Sequence, residues 1–328
     1  MNKNICLALA FFGYTCLHAQ VKWIKVDSLF GDLPKSVHVY KTTDLLDGKP
    51  NIAYYVIADL KKKKLHYTVD TTYQRRLTPS QFFEKNKKPL LVVNTTFFSY
   101  ATNQSLNVVI KDGKLLGYNT HSVAGHGKDT FTYRHPFGSA IGISKKRKAD
   151  VAWLYTDSSS KYPGAILRVL PPKKDSVPGF PPATAVEYIY PGPNPAHGRI
   201  LNFVDWKMKT AVGGGPVLLQ DGHIGITNNE ELKFPGKAIE DKHPRTAMGY
   251  TKDNKLIVLV IEGRHPGIAE GATLEQEARL LSDIGCWEAL NLDGGGSSCL
   301  LVNGKETIKP SDKEGQRPVP AVFIVKVP

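Results

Sequence analysis

The clearest chemical signal in this chain is the stretch 291–298, which reads Asn-Leu-Asp-Gly-Gly-Gly-Ser-Ser. Side chains alternate along a strand, so Asn291 and Asp293 are expected on one face of the strand that leads into it. The residues that follow offer main-chain amides without a Cβ atom, and then hydroxyl groups. They are Gly294, Gly295, Gly296, Ser297 and Ser298. The alternative is a tight turn in which Asp293 bonds its own main chain, but the clustering favours a binding or catalytic site.

The preceding segment predicts a helix that leads into this strand. Thr273 and Gln276 have the spacing of a capping box. Apolar residues then recur with a helical period over 274–284, and Gly285 is typical of a helix end.

Two further polar residues occupy the ends of predicted buried strands, where open sheets place their sites. Asn94 ends the strand 89–93, and Glu262 follows the unbroken apolar run Leu256–Ile261. Together with Asp293, Glu262 provides a second carboxylate, which suits acid–base or nucleophilic chemistry on an acetal.

Arginines and a second glycine run could hold an anion. Arg245 and Arg264 carry planar guanidinium groups that can grip a phosphate at two points, and Gly213–Gly215 could form a second nest of amides. The structural alternatives are that Arg245 pairs with an acidic core neighbour, that Glu262 caps or salt-bridges, and that the glycines form a bulge.

Six segments in a consistent order resemble the phosphodiester glycosidase family over about residues 50–327. They are Val93–Phe98, Gly213–Leu219, Arg245–Gly249, Leu256–Arg264, Gly271–Leu274 and Asn291–Ser298. The resemblance implies a hydrolase that cleaves the bond between a sugar anomeric carbon and a phosphate, releasing the sugar and a phosphomonoester. With the clustered motif, it implies that Asp293 is the nucleophile or base, Glu262 the second carboxylate and Arg245 part of the phosphate cradle.

The same resemblance implies a set of substrate-binding residues. They are Asn94, Thr96, Gly214, Gly215, Arg264, Asn291, Gly294, Gly295, Gly296, Ser297 and Ser298. Two positions depart from the family pattern. Residues 94–98 read Asn-Thr-Thr-Phe-Phe where the family usually has Asn-Gly-Gly-Phe-Phe, and Glu262-Gly263 replaces the usual Asp-Gly. Both departures lie at expected site positions, so the substrate, or even the activity, can differ from that of the family's best-known enzyme.

Two other functions are compatible with these residues. One is a glycosidase that acts on acidic or other polysaccharide, with Thr95 and Thr96 narrowing the pocket. The other is a non-catalytic protein that binds glycan or cell wall on the same fold. No cofactor is required by the expected chemistry. A divalent cation such as Ca²⁺ is possible at Asn291, Asp293 and Glu262, although no calcium-loop spacing is present.

The N-terminus predicts export. Lys3, an apolar stretch over 5–14 and Ala19 fit a secretory signal peptide spanning residues 1–19, with cleavage near Ala19. No later stretch has the roughly 18 apolar residues that a membrane-spanning helix needs. The expected location is therefore periplasmic or secreted.

The charge predicts an anionic partner. The 328 residues carry a formal net charge of +13, which favours a small anionic glycan or a sugar phosphodiester as the substrate. Nucleic acid is not expected, because the chain is exported and has no recognisable nucleic-acid-binding motif. The run 61–64, four consecutive lysines, is interpreted as a solvated hairpin turn rather than a binding patch.

The remaining organisation is that of one catalytic domain. Many strand-like and few helical segments indicate an α+β fold with mixed, largely antiparallel sheets. The N-terminal segment 20–50 precedes a catalytic domain over 51–328, and the proline-rich stretch 171–199 is either a lid or a passive insertion. Three hairpins turn at Asp-Gly or Asn-Gly pairs. Cys286 and Cys299 are left either as a disulfide or as two buried thiols.

Overall fold

The computed structural model describes residues 20–166, 168, 169, 171, 172, 174, 175, 188–190, 199–201 and 203–327. The predicted signal peptide and most of the proline-rich stretch lie outside these residues. Within that stretch, residues 188–190 pair with residues 199–201 in an antiparallel ladder.

The described strands run along the whole chain. They are β1 (Ile24–Lys25), β2 (Val37–Thr42), β3 (Ala53–Asp59), β4 (His66–Thr71), β5 (Leu91–Asn94), β6 (Val109–Lys111), β7 (Lys114–Gly117), β8 (Val123–Ala124), β9 (Tyr133–Arg134), β10 (Gly138–Ser144), β11 (Ala149–Tyr155), β12 (Gly164–Ile166), β13 (Tyr188–Tyr190), β14 (Arg199–Leu201), β15 (Val204–Asp205), β16 (Met208–Gly213), β17 (Val217–Gln220), β18 (His223–Ile224), β19 (Arg245–Thr251), β20 (Lys255–Ile261), β21 (Cys286–Asn291), β22 (Leu300–Val302), β23 (Lys305–Glu306) and β24 (Ala321–Lys326).

Helices are few among the described residues. They are α1 (Pro79–Lys85), α2 (Asn228–Glu231) and α3 (Leu274–Ile284), with short 3₁₀ turns at Asp27–Phe30, Gly127–Asp129, Gly236–Ile239 and Gly295–Ser297. Helix α3 has the predicted bounds, and the predicted capping box between Thr273 and Gln276 is present. Gly285 ends it in the left-handed conformation.

Three large sheets form the fold. The eight-stranded sheet has the order β1-β2-β3-β20-β19-β21-β17-β18, the seven-stranded sheet β15-β12-β11-β10-β16-β6-β7, and the five-stranded sheet β23-β22-β5-β24-β4. The neighbouring strands pair antiparallel, as the ladders of β19 with β20 and of β5 with β24 illustrate. The predicted strand-rich α+β class is confirmed.

One apolar core joins the three sheets. It includes Met248 from the eight-stranded sheet, Phe323 from the five-stranded sheet and Ile141 from the seven-stranded sheet. Helix α3 covers the other face of the eight-stranded sheet, where Leu274 and Leu281 join a second cluster. Strand β20 is buried along nearly its whole length, as its unbroken apolar sequence predicts.

The predicted hairpin around the lysine run is wrong. Strands β3 and β4, on either side of residues 61–64, belong to different sheets. Leu60 and Leu65 are both buried at the ends of the run, so the chain crosses from one sheet to the next with only the four lysines in solvent. By contrast, the Asp112-Gly113, Asp221-Gly222 and Asn303-Gly304 pairs all adopt the positive φ angles that their turns require.

The structure also shows the state of the two cysteines and the position of the segment 20–50. Cys286 and Cys299 are free and buried, which is the second of the two alternatives. The segment 20–50 belongs to the eight-stranded sheet, because β2 pairs with β3 over its full length.

Candidate active site

Three neighbouring strands of the eight-stranded sheet bring the predicted residues together at one end of the sheet. At this end, which we call the edge, β19 begins and β20 and β21 stop. β19 begins at Arg245, which pairs with Ile261 at the end of β20, and Ala247 pairs with Asn291 at the end of β21. Beyond β21 the chain continues along β19, since the Gly295 amide donates to the Pro244 carbonyl at 2.8 Å. The glycine loop therefore lies against the start of β19.

The five-stranded sheet meets this edge through Asn94. Its carboxamide nitrogen donates to the Asp293 carbonyl at 2.5 Å, and its oxygen accepts from the Thr246 hydroxyl at 2.9 Å and the Cys299 amide at 3.0 Å. The Asp293 amide donates to the Thr95 carbonyl at 2.8 Å. Asn94 is fully buried, so these contacts favour a role in positioning Asp293, while direct contact with substrate stays a prediction.

The Asp293 carboxyl has an unusual proton affinity for an aspartate. Burial raises its pKa to about 7, against the lowering effects of the Ser297 side chain, the Arg317 guanidinium and the Gly294 amide. The residue keeps partial contact with solvent. Near neutral pH the carboxyl therefore exists in both protonation states, which suits a group that takes up or releases a proton.

Two guanidinium groups lie on the glycine loop. A Cβ atom on Gly295 would come within 3.0 Å of Nη2 of Arg264, and one on Gly296 would come within 2.1 Å of Nη2 of Arg317. The absence of side chains at these two positions is what lets the guanidinium groups approach. Arg317 is held by a bidentate pair with Asp312 at 2.7 and 3.0 Å.

Arg317 was not predicted from the sequence. It lies between β23 and β24 in a segment without strand or helix, and the only signal in the sequence was its charge. Its position in the site depends on contacts between residues far apart in the chain.

Three buried polar atoms at the motif have no hydrogen-bond partner of good geometry among the described residues. They are Oδ1 of Asn291, Oγ of Ser297 and Oγ of Ser298. Ser297 lies close enough to Asp293 to influence its pKa, although the geometry is not that of a regular hydrogen bond. Buried polar groups are normally paired, so these atoms are available to a bound ligand; their contact with substrate stays a prediction.

Arg245 is engaged with the protein itself. Its Nε donates to the Ala272 carbonyl at 2.9 Å, its Nη2 donates to the Asp241 carbonyl at 3.0 Å, and its guanidinium lies 5.4 Å from the ring centroid of Phe234. Burial lowers the pKa of the side chain, and the nearby Glu277 opposes this effect. These hydrogen bonds go to main-chain carbonyls rather than to a carboxylate. They favour a bracing role for Arg245, while its place in the phosphate cradle stays a prediction.

Glu262 is also satisfied by protein groups. Its carboxylate contacts Nδ1 of His265 at 3.0 Å and accepts from the Lys309 amide at 2.9 Å. It follows β20, whereas Asp293 follows β21, with β19 between them. Two strand spacings correspond to about 10 Å along the sheet. Its catalytic role stays a prediction, and its contacts favour support of the edge.

The second glycine run does not present a free nest of amides. The Gly213, Gly214 and Gly215 amides donate to main-chain carbonyls of Val108, Ser139 and Asn291 at 2.7, 3.0 and 2.8 Å. The side-chain hydroxyl of Thr96 contacts that of Ser105 at 2.9 Å. Contact of Gly214, Gly215 or Thr96 with substrate therefore remains a prediction without direct geometric support.

An aromatic cavity adjoins this edge. It encloses about 360 Å³ and is lined by Phe97, Phe98, Phe137 and Lys233 among other residues. Phe234 links it to the edge, because its ring packs on Phe97 with centroids 6.1 Å apart and also contacts Arg245.

Glu277 is a buried carboxyl that was not predicted as a site residue from the sequence. It lies on α3 and is completely buried, and neither carboxyl oxygen has a hydrogen-bond partner among the described residues. Burial raises its pKa to about 8, and Arg245 partly offsets this rise. The signal in the sequence was a charged residue three positions after Leu274, within the apolar stripe of the helix.

We expect Glu277→Gln to change how stability depends on pH. In the native state the pKa values of Glu277 and Asp293 lie above the value of about 4 that carboxyls have in the unfolded chain. The native state therefore holds extra protons, and the free energy of unfolding falls as the pH rises from about 4 to about 8. In urea unfolding, the variant should be more stable than the wild type at pH 9, by on the order of 1–3 kcal/mol.

The exposed Glu275 on the same helix offers a matched control, because Glu275→Gln makes the same change of side chain without removing a buried charge. An identical pH dependence in wild type and Glu277→Gln would show that the buried carboxyl does not titrate in this range.

No group of three or more His, Cys, Asp and Glu side chains that could hold a metal ion is found in the described parts of the chain. At the predicted Ca²⁺ site formed by Asn291, Asp293 and Glu262, both Glu262 oxygens contact protein groups. The site remains an untested prediction.

A family comparison decides the classification. The model of the phosphodiester glycosidase family matches residues 87–326. The chain belongs to this family. The match includes every predicted site residue, from Asn94 to Ser298. Phosphodiester glycosidases are hydrolases, which supports glycosidase activity at the level of the family.

Individual relatives are distant. An uncharacterised SPbeta prophage-derived protein of Bacillus subtilis is 39% identical over 71 residues, which cover 22% of this chain and 11% of that protein. The mouse N-acetylglucosamine-1-phosphodiester alpha-N-acetylglucosaminidase is 28% identical over 103 residues, which cover 29% of this chain and 20% of that protein. The matched segments thus span only a tenth to a fifth of these curated relatives.

A solved structure supports the fold. The catalytic domain of the zebrafish N-acetylglucosamine-1-phosphodiester alpha-N-acetylglucosaminidase aligns with a TM-score of 0.55 and 19% identity, covering 88% of this chain and 82% of that one. Among the described residues of our chain, no helix has both the length and the apolar character that crossing a bilayer requires.

Proposed function

We propose that this protein is an exported hydrolase that cleaves a sugar-1-phosphodiester between the anomeric carbon and the phosphate. The observation that carries the proposal is the combination of Asp293, with a pKa of about 7, and a glycine loop on which Arg264 and Arg317 lie. A carboxyl near one guanidinium group, at a loop that carries a second, suits a substrate whose reacting carbon bears an anionic group.

The two arginines act on the phosphate. As the bond between the anomeric carbon and the phosphate oxygen breaks, its electron pair passes to that oxygen, so negative charge grows on the phosphate. Arg264 and Arg317, which lie on the glycine loop, stabilise this charge. A phosphate is a weakly basic leaving group, so strong acid assistance is not required.

Asp293 acts on the anomeric carbon. As a base, it takes a proton from a water molecule whose oxygen bonds to that carbon. As a nucleophile, its own oxygen bonds first, and water then releases the sugar. Either way the ionised carboxylate is the active form, and it also stabilises the positive charge that develops on the sugar ring.

The other predicted residues support or complete this arrangement. Asn291, Ser297 and Ser298 offer unpaired polar atoms to sugar hydroxyls or phosphate oxygens. Asn94, Arg245 and Glu262 hold the loop and the strand ends in place. The aromatic cavity beside the edge offers room for a substrate ring. Export is proposed from the signal-like residues 1–19.

The decisive assay uses UDP-GlcNAc in water enriched in ¹⁸O. Cleavage at the anomeric carbon yields free GlcNAc that carries ¹⁸O and unlabelled UDP. Cleavage between the phosphates would yield GlcNAc-1-phosphate and UMP instead, and would contradict the proposal. A simple sugar-1-phosphodiester of GlcNAc tests whether the nucleotide matters.

We expect kcat/KM for this hydrolysis to rise with pH, with a midpoint near 7, because Asp293 must lose its proton. Rates measured from pH 5 to pH 9 would reveal this. A rate that falls over the same range would make Asp293 an acid and would overturn its assigned role.

A folded protein that leaves both substrates intact would shift the proposal to its alternatives. Release of reducing sugar from uronic or sulfated glycans would indicate a polysaccharide glycosidase. Tight glycan binding without product, unaffected by Asp293→Asn, would indicate a binding protein.

A further inference from the structure

The end of the molecule opposite the candidate site is formed by three turns. β3 pairs with β20 from Ala53 opposite Ile261 to Asp59 opposite Lys255. The seven residues of β20 span about 20 Å, so the turns after β3 and before β20 lie at the far end of the sheet from Glu262. The turn between β10 and β11 joins them there.

Arg147 binds two of these turns together. Its Nε donates to the Leu60 carbonyl at 2.5 Å, and its Nη2 donates to the carbonyls of Lys62 and Leu65 at 2.6 and 2.9 Å. The first basic run is 61–64 and the second is 145–148. The Arg147 guanidinium therefore holds the second run beside the first. In the sequence these runs are about 80 residues apart.

Asn254 adds the third turn. Its side-chain nitrogen donates to the Arg147 carbonyl at 2.9 Å, its side-chain oxygen accepts from the Ala149 amide at 3.4 Å, and its carbonyl accepts from the Leu60 amide at 3.3 Å. Residues 60–65, 144–149 and 251–255 thus form one continuous surface, which we call the basic end.

The basic end carries a large excess of positive charge. Its lysines are Lys61, Lys62, Lys63, Lys64, Lys145, Lys146, Lys148, Lys252 and Lys255. Two carboxylates offset them: Asp59 lies 3.9 Å from Lys62, and Asp253 lies 2.8 Å from Lys255. In the described part of the chain, none of the other lysines has a carboxylate within ion-pair distance. Most of the charge is therefore free to meet an external anion.

The kind of cation indicates the kind of partner. The charge comes from lysines, which are flexible point charges, whereas the one arginine already uses its donors on carbonyls. Such a set fits a diffuse field of phosphates better than one phosphate in a fixed geometry. The three turns contain no aromatic residue. The Trp287 ring beside them already faces Nζ of Lys252, which lies 4.7 Å from its centroid. The turns therefore present no series of free rings on which successive bases of a nucleic acid could stack.

We propose that the basic end binds the surface of a membrane that contains anionic phospholipids. Binding is electrostatic and peripheral, with the lysines at the headgroup phosphates. The candidate site then faces away from the bilayer, about 20 Å from it, and remains open to substrate. This inference does not depend on the reaction proposed for the site.

The test is sedimentation of the full chain with vesicles of phosphatidylglycerol and phosphatidylcholine, and of phosphatidylcholine alone. The variant Lys63→Glu/Lys146→Glu reverses one charge in each basic run. The control Lys128→Glu/Lys237→Glu makes the same change of net charge at exposed lysines outside the basic end. Residues 1–19 are common to all three proteins, so any binding through them cancels in the comparison.

We expect wild type and control to bind the anionic vesicles, and the basic-end variant to bind at least tenfold more weakly. Binding of the wild type should fall as salt rises from 50 to 300 mM. Equal binding by the two variants would overturn the proposal, as would equal binding to the two lipid mixtures. Binding to duplex DNA at lower concentration than to vesicles would assign the surface to nucleic acid instead.

Discussion

Asp293→Asn is expected to lower kcat for sugar-1-phosphodiester hydrolysis by about 10³-fold at pH 8, within the range found for essential acid–base groups. The amide keeps the shape of the side chain but can neither accept a proton nor attack carbon. The loss should be similar at all pH values above 7, because the wild-type carboxyl is then ionised.

The same substitution should stabilise the protein in alkali. An ionised carboxyl that burial disfavours lowers the free energy of unfolding, and asparagine carries no such charge. We expect a gain on the order of 1 kcal/mol at pH 8, measured by urea unfolding, and little change at pH 5. An inactive variant that is more stable would identify a group kept for catalysis at the expense of stability.

Asp253→Asn is the matched control, since Asp253 is exposed at the opposite end of the sheet. It should retain full activity. Substantial turnover by Asp293→Asn, with correct folding, would mean that the proton transfer or the attack on carbon is performed by another group.

Gly296→Ala is expected to fold normally and to lose about 10²-fold in kcat/KM, as for the loss of a charge-stabilising donor. The new methyl group would occupy the position of the Arg317 guanidinium, 2.1 Å from Nη2, and that of the Asp312 carboxylate. Both atoms are ends of flexible side chains, so they can move at small cost to stability. The movement takes Arg317 away from the loop and from the phosphate.

A double-mutant cycle isolates this effect. Arg317→Ala alone should cause a similar loss, and the double variant Gly296→Ala/Arg317→Ala should be little worse than either single variant. Gly225→Ala is the control, because among the described residues, its two chain neighbours aside, no atom lies within 4 Å of its added methyl group. Additive losses in the double variant would show that Gly296 matters for a reason other than Arg317.

Local patterns in the sequence predicted those parts of the fold that depend on local chemistry. Helix α3 begins after the cap at Thr273 and ends before Gly285, as predicted, because both residues act through neighbouring main-chain groups. The Asp-Gly and Asn-Gly turns follow for the same reason. The prediction of a hairpin at the lysine run 61–64 was wrong. The sheet that each flanking strand joins depends on how residues such as Leu60 and Leu65 are buried, and not on the turn between them.

The features of the site can also be divided into those that the sequence predicts and those that depend on packing. The convergence of polar strand ends follows from strand pairing, and so the edge that carries Asn291 and Asp293 could be predicted. The partners of individual atoms could not. The main-chain partners of Arg245, the approach of Arg317 to Gly296 and the burial of Glu277 all result from packing between segments that are far apart in the chain.

Asn94 has a consequence for how the protein gains its activity during folding. Asn94 is the last residue of β5 in the five-stranded sheet. Its carboxamide bonds to Thr246 of β19 in the eight-stranded sheet and to the Asp293 carbonyl in the loop after β21. Neither sheet alone contains a complete site, so a chain with intact sheets that have not docked should show normal strand content but no turnover. Catalysis can therefore serve as a reporter of docking, and during refolding activity should return after circular dichroism has recovered.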